Sequence, residues 1–176
     1  RAGVLCNEAN LDRAGAGWKH SGDAMDVALL ALGYKLGLDP HQVRERDTVL
    51  AEIPYESENR YSAVLSRMDG QPTIIVKGAV ETVLRFCATM ACPEGARPLD
   101  AERISAQALE LAGEGYRVLA LATLALPAEA ETSGLTGQML ATMELRGLFG
   151  FIDPLRPEVK QSVETARTAG IRVVMI

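Results

Sequence analysis

RYSAVLSRMDGQPTIIVK, residues 60–77, decides the fold. Arg60 to Met68 reads as a strand, Asp69-Gly70 is a tight-turn dipeptide, and Thr73 to Lys77 is rich in β-branched residues. That is the pattern of a β-hairpin. Gly78 then breaks the second strand, and Ala79 to Phe86 fits a short helix. Upstream, Val49 to Ile53 reads as a short strand. Pro54 has no N–H to give to a ladder and is expected to stop it. Downstream, Tyr116 to Leu126 is a long apolar strand, and Met143, Leu145, Gly147, Phe149 and Phe151 fall at the alternate positions of another.

Helices flank these strands. Asp23 to Leu36 is apolar on nearly every side, which predicts a buried helix closed by Gly37. Asp39-Pro40 restarts the chain. Asp100 can cap a helix to Leu111, with Ile104, Ala108, Leu111 and Ala112 on one face and Gly113 and Gly115 at its end. Gly15-Ala16-Gly17 to Ser21-Gly22, Cys92 to Pro98 and Pro127 to Gly137 read as loops. Residues 1–152 are therefore expected to form an α+β domain, an antiparallel β-sheet flanked by helices.

The last segment has another grammar. Asp153-Pro154-Leu155-Arg156-Pro157 is a stiff connector. Val159, Val163 and Ala166 make a helical stripe, Gly170 caps it, and Ile171 to Ile176 reads as a buried strand. A helix followed by an apolar strand belongs to an α/β domain. Residues 153–176 are expected to be a helix-strand tail cut from such a domain, either packed back on residues 1–152 or poorly ordered.

Composition narrows the function. The 176 residues suffice for one hydrophobic core with a small appendage. The net charge of −5 argues against general nucleic-acid binding. It also means that a polyanionic ligand needs local cations. No apolar run reaches the length of a membrane helix, and Arg1-Ala2-Gly3 does not start a signal peptide. Cys6, Cys87 and Cys92 form no CxxC pair, which suits a reducing cytosol. His20 and His41 sit in no metal-ligand pattern and read as surface residues. GxxxxGK[ST], GxGxxG after a strand and GxSxG are all absent.

Five stretches carry a resemblance. Gly22-Asp23-Ala24-Met25-Asp26-Val27-Ala28-Leu29 resembles "GDPTEGAL". Ile53-Pro54-Tyr55-Glu56-Ser57-Glu58-Asn59-Arg60 resembles "IPFDSERK", and Lys77-Gly78-Ala79-Val80-Glu81 resembles "KGAPE". Gly115-Tyr116-Arg117-Val118-Leu119-Ala120 is similar to "GxRVLA". Asp153-Pro154-Leu155-Arg156 followed by Gly170 to Ile176 is similar to "DPPR…AGIRVVMITGD", cut before TGD. These are motifs of the nucleotide-binding domains of P-type cation-transporting ATPases. Their order and spacing agree across most of the chain.

The resemblance implies a set of roles. Tyr55 would stack on adenine; the family usually has Phe there. Lys77 would lie at the pocket floor, Gly78 would let the backbone approach the base, and Ala79 belongs to the site as the third residue of the Lys77-Gly78-Ala79 motif. Arg60 matches a basic position near the phosphates, and Arg117 an arginine that reaches ribose and phosphates. Asp26 matches an acidic residue, usually Glu, on the adenine side. Val80 replaces the usual proline after KGA, and Ser62 a methionine.

The implied ligand is ATP, with Mg²⁺ in the complete pump. The implied partners are the phosphorylation and actuator domains of the same polypeptide. The phosphorylated aspartate of DKTGT, TGD and the later GDGxND are absent from this chain, so binding without turnover is expected, in a cytoplasmic domain of an integral membrane protein of the bacterial plasma membrane. Asp153 belongs to the hinge motif. Heavy-metal pumps are disfavoured because they carry a Ser-Glu-His-Pro type motif and a GxGxxG-like loop instead of KGA.

Taken singly, each residue has a plainer reading. Tyr55 fits a strand-end aromatic, Lys77-Gly78 a solvated strand end, Arg60 and Arg117 surface cations, and Asp26 a helix surface charge. A non-catalytic interaction domain of the same fold is the alternative function. A soluble phosphatase-like enzyme needs a DxD or DKTGT acceptor that this chain lacks.

Overall fold

The computed structural model describes residues 1–15, 17–130, 133–153 and 156–174. Helix α1 (Ala2–Leu5) leads into a two-stranded hairpin, β1 (Asn10–Ala14) and β2 (Gly17–Ser21). Helices α2 (Ala24–Lys35) and α3 (Pro40–Arg46) follow, then strands β3 (Thr48–Glu56), β4 (Tyr61–Met68) and β5 (Gln71–Gly78). Helix α4 (Val80–Val83) runs into a 3-10 turn and then the strands β6 (Cys87–Cys92) and β7 (Gly95–Pro98). Helix α5 (Ala101–Gly113), strands β8 (Arg117–Ala125) and β9 (Met143–Phe151), and helix α6 (Val159–Thr168) complete the chain.

Seven strands form one sheet in the order β3-β4-β5-β8-β9-β6-β7. The expected hairpin is its heart: β4 and β5 pair without interruption from Tyr61↔Gly78 to Met68↔Gln71. Strand β5 is covered on both faces, which is why it is an unbroken apolar run. Ile74 and Val76 enter a core with Ala63, Leu65, Val83, Ile104 and Ala120, roofed by α4 and α5. Ile75 faces the other way, against Val64, Leu121 and the residues Val4, Leu5, Leu30 and Val43 of α1 to α3. Each fully buried aliphatic side chain contributes about 1.5–3 kcal/mol, so the two cores hold the three helices of the first face in register with β5.

The helix starts are set by carboxylates. Asp23 accepts the Met25 N–H at 2.8 Å, Asp39 the His41 N–H at 2.9 Å, and Asp100 the Arg103 N–H at 3.0 Å. Such caps satisfy N–H groups that the helix itself cannot, and each is worth about 0.5–2 kcal/mol. The Asp23 cap fixes where α2 begins, and so where Asp26 stands in its first turn.

Several sequence expectations are corrected. Pro54 does not end β3. The register slips between Ile53↔Ala63 and Glu56↔Tyr61, so Pro54 and Tyr55 occupy a bulge and the strand resumes. The stretch read as a loop from residue 15 to 22 is largely β2, and the Cys92–Pro98 loop contains β7. Ala16 lies outside the described residues. Helix α2 is buried along one side only, with Asp26, Leu29, Leu30 and Gly33 inward. The sheet is antiparallel apart from β6 and β9, which run parallel. In the tail, α6 forms as expected, but residues 171–174 form no strand and are exposed. Pro154, Leu155, Met175 and Ile176, which belong to the expected connector and strand, lie outside the described residues. No residue of α6 is buried.

Candidate functional site

Lys77 sits at the end of β5, on the same face as Ile75 because side chains alternate along a strand. It therefore points toward α1–α3. Its ammonium meets the Asp26 carboxylate in a salt bridge, and both residues are buried, at 6% and 8% exposure. The other Asp26 oxygen accepts the Glu8 N–H at 3.0 Å. The Asn7 side-chain amide donates to the Asp26 carbonyl at 2.9 Å. A buried charge is tolerated only when paired and hydrogen-bonded, and here both conditions are met. Asp26 is thus no helix surface charge; it anchors the segment after α1 to the end of β5.

Above this pair opens a cleft of about 380 Å³. Lys77, Asp26 and Gly78 form its floor, Tyr55 and Glu8 its rim, and Met25 and Leu119 contribute apolar wall. The volume falls within the range of small-molecule sites, about 300–1,000 Å³. Tyr55 is 56% exposed, so its ring presents a face that the protein leaves open. Two glycines permit the close approaches that shape the cleft. A Cβ on Gly78 would lie 2.5 Å from the Arg60 carbonyl oxygen and 2.7 Å from the Tyr61 Cα. Gly22 has φ +102°, and a Cβ there would lie 2.8 Å from the Ala9 Cα.

The seven expected residues divide. Asp26, Tyr55, Lys77 and Gly78 line this one cleft. Arg117 opens β8 two residues before Leu119, and so leaves the sheet on the cleft face, although it does not line the cleft. Arg60 and Ala79 line a different groove beside α5, with Val80, Ala108 and Val118. The Arg60 guanidinium is paired there with Glu81 at 2.6 Å, both side chains more than half exposed. The Arg60 backbone still belongs to the site, since its carbonyl accepts the Ala79 N–H at 3.0 Å and abuts Gly78.

Six further residues line the cleft without having been expected there: Gly22, Asp23 and Met25, close to Asp26 in sequence, and Glu8, Ser62 and Leu119. Ser62 pairs with Lys77 in the β4–β5 register, so its inward position was readable from the hairpin. Leu119 follows from alternation with Arg117. Glu8 had no local signal. Behind Ser62 lies Cys6, fully buried, its thiol donating to the Ser62 carbonyl at 3.5 Å. Burial pushes the Cys6 thiol up to about 11, with the Lys77 ammonium opposing part of the rise. Cys6 is packing, and a nucleophile it is not at neutral pH.

A mostly antiparallel sheet flanked by helices, with a lysine-floored cleft at the end of β5, makes this an α+β domain. The family model for the cytoplasmic domain N of P-type ATPases matches residues 1–158, and the chain belongs to that family. It is 35% identical over 175 residues to the cation-transporting ATPase pma1 of Synechocystis sp., a match covering 99% of this chain and 19% of that protein. It is 34% identical to the sodium/potassium exporting P-type ATPase cta3 of Schizosaccharomyces pombe, over 98% of this chain and 17% of that protein. It is 30% identical to the calcium-transporting ATPase lmo0841 of Listeria monocytogenes, over 98% of this chain and 19% of that protein. The chain thus spans about a fifth of the length of these relatives. Among the described residues, no helix is long and apolar enough to cross a membrane.

Proposed function

We propose that the cleft binds ATP, as the nucleotide-binding domain of a cation-transporting P-type ATPase. The observation that carries this reading is the buried Lys77–Asp26 pair beneath an open Tyr55 ring. The ring supplies a stacking face for the base, and the pair supplies a fixed polar floor for its edge. Met25 and Leu119 exclude water beside it. Stacking on a single aromatic is worth roughly 1–3 kcal/mol.

The donor set suits the base better than the phosphates. The cleft holds the carboxylates Glu8, Asp23 and Asp26 against one ammonium. The triphosphate therefore has to extend toward cations outside it. Arg117, on the cleft face of β8, and Arg60 are the candidates. Arg60 has to exchange Glu81 for phosphate, and a surface pair of this kind costs only about 0–1 kcal/mol to break. Mg²⁺ supplies charge neutralisation when bound with ATP. Among the described residues no group of three His, Cys, Asp or Glu converges to hold a metal ion.

In the complete protein the γ-phosphate would pass to an aspartate on a phosphorylation domain. Residues 1–152 would be the nucleotide domain, and residues 153–176 the hinge and the start of the phosphorylation domain, with residues 171–174 after α6 forming no strand in this chain. That domain and an actuator domain would be the partners, and the setting the cytoplasmic side of a membrane. This chain alone would bind without turnover, with a dissociation constant roughly between tens of micromolar and a few millimolar.

Tyr55→Ala tests the stacking directly. Equilibrium dialysis should show ATP bound roughly 5- to 150-fold more weakly, the equivalent of one lost stack. The melting temperature should not move, because the ring is exposed. Unchanged ATP affinity would refute the stacking role of Tyr55, and no saturable ATP binding by the wild-type chain would leave a non-catalytic interaction domain that binds no nucleotide as the better reading.

A further inference from the structure

We infer that Glu8 is a positioning residue for the nucleotide cleft, holding Tyr55 at the rim by a hydrogen bond to its backbone. The inference rests on the nucleotide reading above and names a device that reading does not contain. Its basis is the bulge in β3. Pro54 brings no N–H, and the register slip between Ile53↔Ala63 and Glu56↔Tyr61 carries Pro54 and Tyr55 out of the regular ladder. A bulge of this kind lets a strand re-aim a side chain, and it also leaves that side chain poorly held. The Tyr55 N–H is donated to Glu8 Oε1 at 2.9 Å. A charge-assisted bond of that length is among the stronger ones available at an exposed site.

Glu8 is itself held at its backbone. Its N–H is donated to Asp26 Oδ2 at 3.0 Å, and Asp26 Oδ1 faces the Lys77 ammonium. The segment behind it is braced as Asn7 Oδ1 accepts the Ala9 N–H at 2.9 Å. A continuous chain of polar contacts thus runs from Lys77 through Asp26 and Glu8 to Tyr55, joining the floor of the cleft to its rim. This chain sets the separation between the ring that stacks on the base and the pair that meets its edge.

Glu8 borders two spaces. Glu8 and Ser62 line both the cleft and a neighbouring pocket of about 280 Å³, whose walls include Leu5, Ile53 and Val64.

The test uses the chain as it stands, with Glu8→Ala and Glu8→Gln compared with wild type. Gln keeps an oxygen in the accepting position while removing the charge. Hydrogen exchange at the Tyr55 amide, without nucleotide, should be protected in wild type and Glu8→Gln and fast in Glu8→Ala. ATP affinity should fall about tenfold in Glu8→Ala, part of a stacking contact, and stay within about threefold of wild type in Glu8→Gln. Tripolyphosphate, which carries no base, should bind all three alike. Equal Tyr55 exchange in all three proteins would overturn the inference. So would tighter ATP binding in both variants, which would show Glu8 acting only through its charge. Wild type failing to bind ATP would instead refute the nucleotide reading, while the exchange comparison would still judge the clamp.

Discussion

The Lys77 ammonium and the Asp26 carboxylate lie 51 positions apart in sequence and form one buried pair at the floor of the cleft. Removing one partner strands the other charge away from water. Lys77→Met should destabilise the domain by about 3 kcal/mol, the lower end of the range for broken buried pairs because neither side chain is fully sealed. Adding Asp26→Leu should recover much of that loss while leaving the cleft without its polar floor. Urea denaturation of the two variants measures both effects.

Gly78 is constrained by its neighbours rather than by its own backbone. Gly78→Ala places a methyl against the Arg60 carbonyl and Tyr61 Cα, which are main-chain atoms and cannot step aside. A loss of about 1–3 kcal/mol is expected from overpacking. Gly134→Ala, with no atom within 4 Å of the added carbon, is the neutral control. Matched thermal melts compare them.

At low pH, Asp47 is the group to watch. Burial alone would raise its carboxyl, but hydrogen bonds from Arg1, from the Asp69 N–H and from Arg46 outweigh it and hold it below its usual value of 3.8. A depressed folded value means the stabilisation is present above about pH 4 and is lost as pH falls through the folded value. Asp69, also held low chiefly by Arg1, adds to the same slope. Asp47→Asn should flatten the fall in melting temperature below pH 4, and be less stable than wild type at pH 7.

Much of this fold was legible because its signals are local. Residues 60–77 declared a hairpin through Asp69-Gly70 and β-branched residues, and the double-sided burial of β5 explains why that run is so apolar. The four cleft residues Asp26, Tyr55, Lys77 and Gly78 came from resemblance, and the fold brings them together. What could not be read was long-range. Nothing in Cys87–Cys92 announces a parallel partner in β9. Pro54 looked like a strand end because a bulge is decided by the partner strand. Glu8 is one carboxylate in a short polar stretch, and its meaning depends on contacts with Asp26 and Tyr55. Ile171 to Val174 has the composition of a core strand, yet it forms none here, because a strand needs neighbours to pair with.

The alkaline limb should report Cys6. Its thiol is raised by burial from about 9 to about 11, so the folded state keeps a proton that the unfolded state releases. Stability from this group is complete below about pH 9 and declines as pH rises from there toward 11. Cys87, raised to about 11 by burial as well, contributes in the same direction. Cys6→Ala should reduce the slope of the melting temperature between pH 8.5 and 10.5, and native Cys6 should react slowly with iodoacetamide at about pH 8.

If the cleft is a nucleotide site, the base of ATP occupies the space between Lys77 and Tyr55. An amide NMR titration of the chain with ATP tests it most directly. Saturable shifts are expected at Tyr55, Lys77, Gly78 and Leu119, with adenosine reproducing those and tripolyphosphate moving only residues near Arg117 and Arg60. No shift at the four cleft residues at millimolar ATP would contradict it.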